Sequence, residues 1–208
     1  MQYRKNVECA FFVMKILKSV VCRRICMISI EIDEKDLKDI TKVEVQNLPG
    51  ALFIGASPLL KPFINKLECI LPSEMTGKGD SYTLVALHTR VDEVHANENI
   101  ICVKGCNKDV EISRNELSTM MYEKYPSTGH QRLNLPGLLF LQSSPAIQVV
   151  CASKLRSEYK FRIPDGRRTL RYIFHIGVVS IDADKKSIKI GFDPDRLPKK
   201  PDGSCVLE

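Results

Sequence analysis

At 208 residues, with 44% hydrophobic and 27% charged side chains, the chain can build one core of ordinary size or two small ones. That composition excludes wholesale disorder, and 11 Gly with 11 Pro exclude collagen-like and low-complexity classes. The net charge of +6 is uneven: residues 1–24 hold six basic side chains and one acid, residues 25–153 twelve against sixteen, and residues 154–208 thirteen against eight. Two basic ends thus bracket a mildly acidic middle. This suits an anionic polymer or surface (RNA or DNA, or acidic lipid), and it also permits a homo-oligomer joined basic end to acidic middle.

At the N-terminus, Arg4 and Lys5 ahead of Cys9-Ala-Phe-Phe-Val-Met14 have the outline of a signal peptide. Lys15 and Lys18 interrupt the apolar run, however, and no small-residue cleavage site follows. The spacing predicts instead a basic amphipathic helix within residues 1–25, with Phe11, Met14, Leu17 and Val21 on one face. Its Lys15, Lys18, Arg23 and Arg24 are candidate contacts to a membrane or a partner, with docking on its own domain as the structural alternative.

A strand is predicted at Cys26–Asp33 and a helix at Leu59–Leu71. Strand-like runs follow at Tyr82–Val91, Asn99–Val103 and Val110–Ser113. Ser113 with Glu116 forms a capping box that opens a helix ending at Tyr125. Beyond it the pattern reads as a β-meander, with strands at Leu138–Gln142, Ile147–Ala152, Glu158–Ile163, Arg168–Ile181 and Ser187–Phe192. Residues 194–208, with Pro194, Pro198 and Pro201, read as an extended tail.

One repeat rises above background. Asn47-Leu-Pro-Gly-Ala-Leu-Phe-Ile-Gly-Ala-Ser-Pro58 and Asn134-Leu-Pro-Gly-Leu-Leu-Phe-Leu-Gln-Ser-Ser-Pro145 agree at eight of twelve positions, 87 residues apart. Each reads as a Pro-Gly turn feeding a short apolar strand, and either internal duplication or coincidence explains the pair. The resulting expectation is a β-rich α+β protein: antiparallel, sandwich-like lobes over 26–128 and 129–193, with two or three peripheral helices.

Candidate chemistry concentrates on Glu158–His175, read as a β-hairpin. Period-two alternation would bury Tyr159, Phe161, Leu170, Tyr172 and Phe174 and show Lys160, Arg162, Arg167, Arg168, Arg171 and His175 at or beside the opposite face. Such a cationic ribbon can follow phosphates; the ordinary alternative is the solvated side of a half-buried sheet. His88, His95, Cys102 and Cys106 offer zinc-type donors within nineteen residues, without the short Cys-x2-Cys knuckle that marks such sites.

The eight cysteines lie mostly in apolar runs, as packed thiols of a reducing compartment, cytoplasmic or nuclear, would. No serine-nucleophile elbow, P-loop or dinucleotide fingerprint occurs in the chain. The leading expectation is therefore a non-enzymatic binding or assembly protein that engages nucleic acid or nucleoprotein, with no cofactor and no small-molecule substrate. A membrane-associated, self-assembling structural protein of the viral-matrix type is an alternative by architectural analogy. A small zinc-dependent or cysteine enzyme is the other.

Overall fold

The computed structural model describes residues 27–55, 65–77, 79–105, 108–124, 133–162 and 167–199. Strand β1 (Ile28–Asp33) leads into helix α1 (Glu34–Thr41), then a 3-10 turn at Gly50–Phe53 and two more at Glu68–Ile70 and Ser73–Met75. Helix α2 (Asp80–Arg90) feeds β2 (Val91–Ala96), β3 (Ile100–Gly105) and β4 (Asp109–Ser113). Four helices follow: α3 (Arg114–Lys124), α4 (Leu135–Gln142), α5 (Pro145–Ser157) and α6 (Arg167–Gly177). Strands β5 (Val178–Ala183) and β6 (Ser187–Phe192) and a 3-10 turn at Pro194–Arg196 complete the described chain.

The six strands form one antiparallel sheet in the order β1-β6-β5-β2-β3-β4. Alternate residues on every strand are buried: Ile30 and Ile32, Val94 and Ala96, Ile101 and Val103, Val110 and Ile112, Ile181 and Ala183, Ile188 and Ile190. They join Phe53, Leu87, Leu139, Phe140, Ile147 and Phe174 of the helical layer in one cluster. Helices therefore cover one face of the sheet, and the other face remains polar and exposed among the described residues.

The α+β class and the antiparallel pairing agree with the sequence reading; the two lobes share a single sheet. Several segments read as strands are helical. Tyr82–Val91 is helical in α2 as far as Arg90, Leu138–Gln142 belongs to α4, Ile147–Ala152 to α5, and Arg168–Ile181 divides between α6 and β5. In α6, Leu170 and Phe174 satisfy both periods, so alternation alone could not decide. The intervening pair decides: Ile173 is fully buried while Tyr172 is 43% exposed, which only a helix allows. In α4 every residue but Leu141 is buried, so no polar face marks its period. The predicted 1–25 helix and residues 59–64 of the predicted 59–71 helix lie outside the described residues; the described remainder is helical at 65–67 and a 3-10 turn at Glu68–Ile70.

The repeat extends far beyond its twelve residues. Helices α2 and α6, strands β2 and β5, and strands β3 and β6 are each 87 residues apart. Both central strands carry a bulge at the same place, Val91/Glu93 and Val178/Ser180. The hairpin turns match as well. The Asn97 side chain accepts from the Asn99 and Ile100 N–H groups at 2.9 and 3.1 Å, and Asp184 accepts from Lys186 and Ser187 at 2.7 and 2.9 Å. A further equivalence, offset by 80, relates β1-α1 to β4-α3: Asp33 caps α1 as Ser113 caps α3, and Leu37 and Leu117 are both fully buried.

The two Asn-Leu-Pro-Gly segments are helical turns, not strands, and each grips the end of the helix that feeds a central strand, α2 in the first case and α6 in the second. Asn47 Nδ2 donates to the Val91 carbonyl at 2.9 Å, and Asn134 Nδ2 to that of Val178 at 2.8 Å. A Cβ on Gly50 would fall inside the carbonyl of His88, and one on Gly137 inside that of His175. Only glycine allows this backbone approach. Gly50→Ala and Gly137→Ala should therefore each lower stability by about 3 kcal/mol or more, measured by urea denaturation. A loss under about 1 kcal/mol at either site would contradict the close approach.

Candidate functional site

The segment singled out for its charge is a helical corner, not a hairpin. Helix α5 ends at Ser157, and the Phe161 N–H turns back to the Leu155 carbonyl at 2.9 Å. Lys160 occupies the left-handed region (φ 52°) that this type of helix ending requires. Phe161 packs edge-on against Phe192, and the Tyr159 hydroxyl donates to the Ser29 carbonyl at 2.7 Å. These contacts fix the corner to the β1-β6 edge of the sheet. Residues 163–166 are outside the described residues, and Arg167 opens α6.

Lys160, Arg162, Arg168 and Arg171 are exposed, and no carboxylate partner is found for any of them among the described residues. Arg168, Arg171 and Tyr172 are spaced i, i+3, i+4 on α6 and share its outward face. Half-buried His175 departs from this set: it faces the interior side, where burial lowers its pKa. The alternation argument also placed Tyr159 and Tyr172 in the core, yet they are 41% and 43% exposed.

The open sheet face contrasts with the corner. Register pairing sets Glu31, Lys189, Asp182, His95, Cys102 and Glu111 in one row across all six strands. Its centre is the pair His95 and Asp182, bonded to each other through His95 Nδ1, and its two ends are Glu31 and Glu111. Lys189 reaches Glu31 at 3.7 Å, Lys104 reaches Glu93 at 2.6 Å, and the Cys102 thiol points at Glu111 at 3.7 Å. Solvent screens exposed pairs of this kind, so they contribute little to stability. Lys104, Lys185 and Lys189 all have carboxylate partners there.

Of the zinc-type donors, His95 and Cys102 are neighbours across β2 and β3, whereas His88 lies on α2 and Cys106 is outside the described residues. No group of three His, Cys, Asp or Glu able to hold a metal occurs among the described residues. Burial and the adjoining Glu111 carboxylate raise the Cys102 thiol, and burial alone raises that of Cys151 further. Both sulfurs are therefore held protonated, the reverse of what a nucleophile needs. Backbone N–H groups of Ser187 and Lys186 hold the Asp184 carboxylate below its usual range, as the hairpin turn places them.

Sequence reasoning overlooked a second polar centre. Arg114 at the start of α3, Glu98 in the β2-β3 turn, Arg196 and His175 line a cavity at one end of the sheet. These residues are far apart in sequence and belong to no motif, so only the sheet order brings them together. Lys15, Lys18, Arg23 and Arg24 lie outside the described residues. Among the described residues no single helix is long and apolar enough to cross a membrane; α4 and α5 together are apolar but bent by 118°. No protein family, curated protein or solved structure matches the chain.

Two outcomes follow from this geometry. Lys160→Gly should raise stability by about 1 kcal/mol, because glycine adopts the left-handed conformation without the side-chain penalty; unchanged or lower stability by urea denaturation would refute this. The folded pKa of His175 lies below its unfolded value of 6.5. The unfolded chain therefore takes up this proton first, and stability should fall as pH drops below about 6.5 until the folded group also protonates. His175→Gln should flatten that decline, and an identical slope in wild type and variant would remove His175 as its source.

Proposed function

We propose that the protein is a binding or assembly module, not a catalyst, and that it engages single-stranded nucleic acid through the α5-α6 corner. The observation that carries this reading is the exposed set Lys160, Arg162, Arg168 and Arg171, which has no carboxylate partner among the described residues, with Tyr172 on the face of α6 that carries Arg168 and Arg171. Guanidinium groups supply bidentate contacts to phosphate oxygens, and an exposed tyrosine between them supplies a surface on which a base stacks. The paired charges of the open sheet face offer no comparable field, and the protonated thiols offer no nucleophile.

Anisotropy of a labelled single-stranded oligonucleotide, titrated at several salt concentrations, tests this reading. Affinity should fall log-linearly with salt, and Arg168→Ala/Arg171→Ala should reduce the slope by about 1.4. Tyr172→Ala should weaken binding by about tenfold at fixed salt, the size of one lost base stack. No binding at low salt, or binding that neither variant changes, would overturn the assignment. Binding to anionic vesicles in preference to the oligonucleotide would move the corner to a membrane role.

A further inference from the structure

At the end of the sheet where the β2-β3 turn, the start of α3, the end of α6 and the Pro194–Arg196 turn converge, the fold leaves a cavity of about 740 Å³. That size is in the range of small-molecule sites. Its described lining is lopsided in charge: Arg114, Arg196 and the His175 ring against the single carboxylate of Glu98. Arg196 is engaged by Glu98, and its Nε reaches Asp193 at 3.4 Å. The Arg114 backbone N–H is fixed on the Asn99 carbonyl at 2.7 Å, while Arg114, a partly exposed residue of the cavity lining, has no carboxylate partner among the described residues.

A guanidinium cannot shed its proton to relieve an unpaired position, as a buried lysine or histidine can. One that is partly withdrawn from water in a concave site leaves an anion-shaped requirement. The walls are stiff as well. Asn134, which adjoins the cavity, donates to the carbonyls of His175, Ile176 and Val178 at 2.6, 3.3 and 2.8 Å, fixing the end of α6 against α4. Arg114 and Arg196 are far apart in the chain and meet only because β4 and the 194–196 turn reach the same end of the sheet.

We infer that this cavity is a binding site for the oxyanion group, phosphoryl or carboxylate, of a small molecule, held between Arg114 and Arg196 beside His175. Glu98 acts there as an internal competitor, occupying Arg196 until a ligand oxygen displaces it. The site is separate from the α5-α6 corner, so the two readings stand or fall independently.

Calorimetric titration of the full chain with inorganic phosphate, pyrophosphate and citrate tests the inference. Pyrophosphate tighter than citrate would identify a phosphoryl ligand, and the reverse a carboxylate. Saturable one-to-one binding of at least one probe is expected, with the His175 ring resonance shifting along the same isotherm. Arg114→Gln should weaken that binding at least tenfold. Glu98→Gln should tighten it severalfold, a gain that loss of folding cannot mimic, and Arg168→Ala/Arg171→Ala should leave it unchanged. Absence of saturable binding for all three probes, equal affinity in Arg114→Gln, or no gain in Glu98→Gln would each overturn the proposal.

Discussion

The fold depends on two backbone approaches, Gly50 against the His88 carbonyl and Gly137 against that of His175. Each Asn-Leu-Pro-Gly turn sets the angle at which a helix enters a central strand, because the same asparagine that opens the turn bonds the first carbonyl of that strand. The two turns also meet each other. The Gly55 N–H donates to Gln142 at 2.7 Å and the Ser144 N–H to Ala51 at 2.8 Å, directly linking the repeats. Gly55 and Gln142 are themselves equivalent positions, 87 residues apart, so this contact marks the pseudo-twofold relation in the helical layer as His95 and Asp182 mark it in the sheet.

Strand order turns that symmetry into a single cooperative unit. The first strand of the first half, β1, pairs with β6 of the second half, and β4, which opens the second half, pairs with β3 of the first. Neither half can complete its sheet from its own strands. Both resulting edges are shielded in the same manner, by a helical-side donor on an outward carbonyl. Tyr159 bonds Ser29 on β1, and Lys66 bonds Glu111 on β4 at 3.0 Å. Acidic side chains at Glu31, Asp33, Asp109 and Glu111 further disfavour pairing with another sheet.

Much of this was legible where one face of an element meets water. Strands β1, β3, β4 and β6 alternate cleanly, and the Ser113-Glu116 signal marked α3, because solvent writes a period into a half-buried element. The central helices carry no such mark. Helix α4 is enclosed almost all round, α5 carries β-branched and apolar residues suited to either state, and α6 fits two periods at once. Its charge was legible but its geometry was not: Arg168 and Arg171 are exposed as read, on a helix face in place of a strand face. The Arg114-Arg196 pair was invisible because no local pattern encodes a meeting of residues 82 positions apart.

The repeat also shows where chemistry departs from architecture. The first-half counterparts of Arg168, Arg171 and Tyr172 are Ser81, Leu84 and Val85, and Leu84 is buried. Helix α2 buries that position, while α6 turns the same position to solvent as an arginine. Arg114 likewise replaces Glu34, an acid that suits the first turn of α1. In contrast, the residues that set backbone geometry persist in both halves: the asparagine and glycine of each turn, the histidine at each helix end and the valine that starts each central strand. Packing constraints thus hold the two halves alike, and surface charge, which no packing constraint fixes, differs between them.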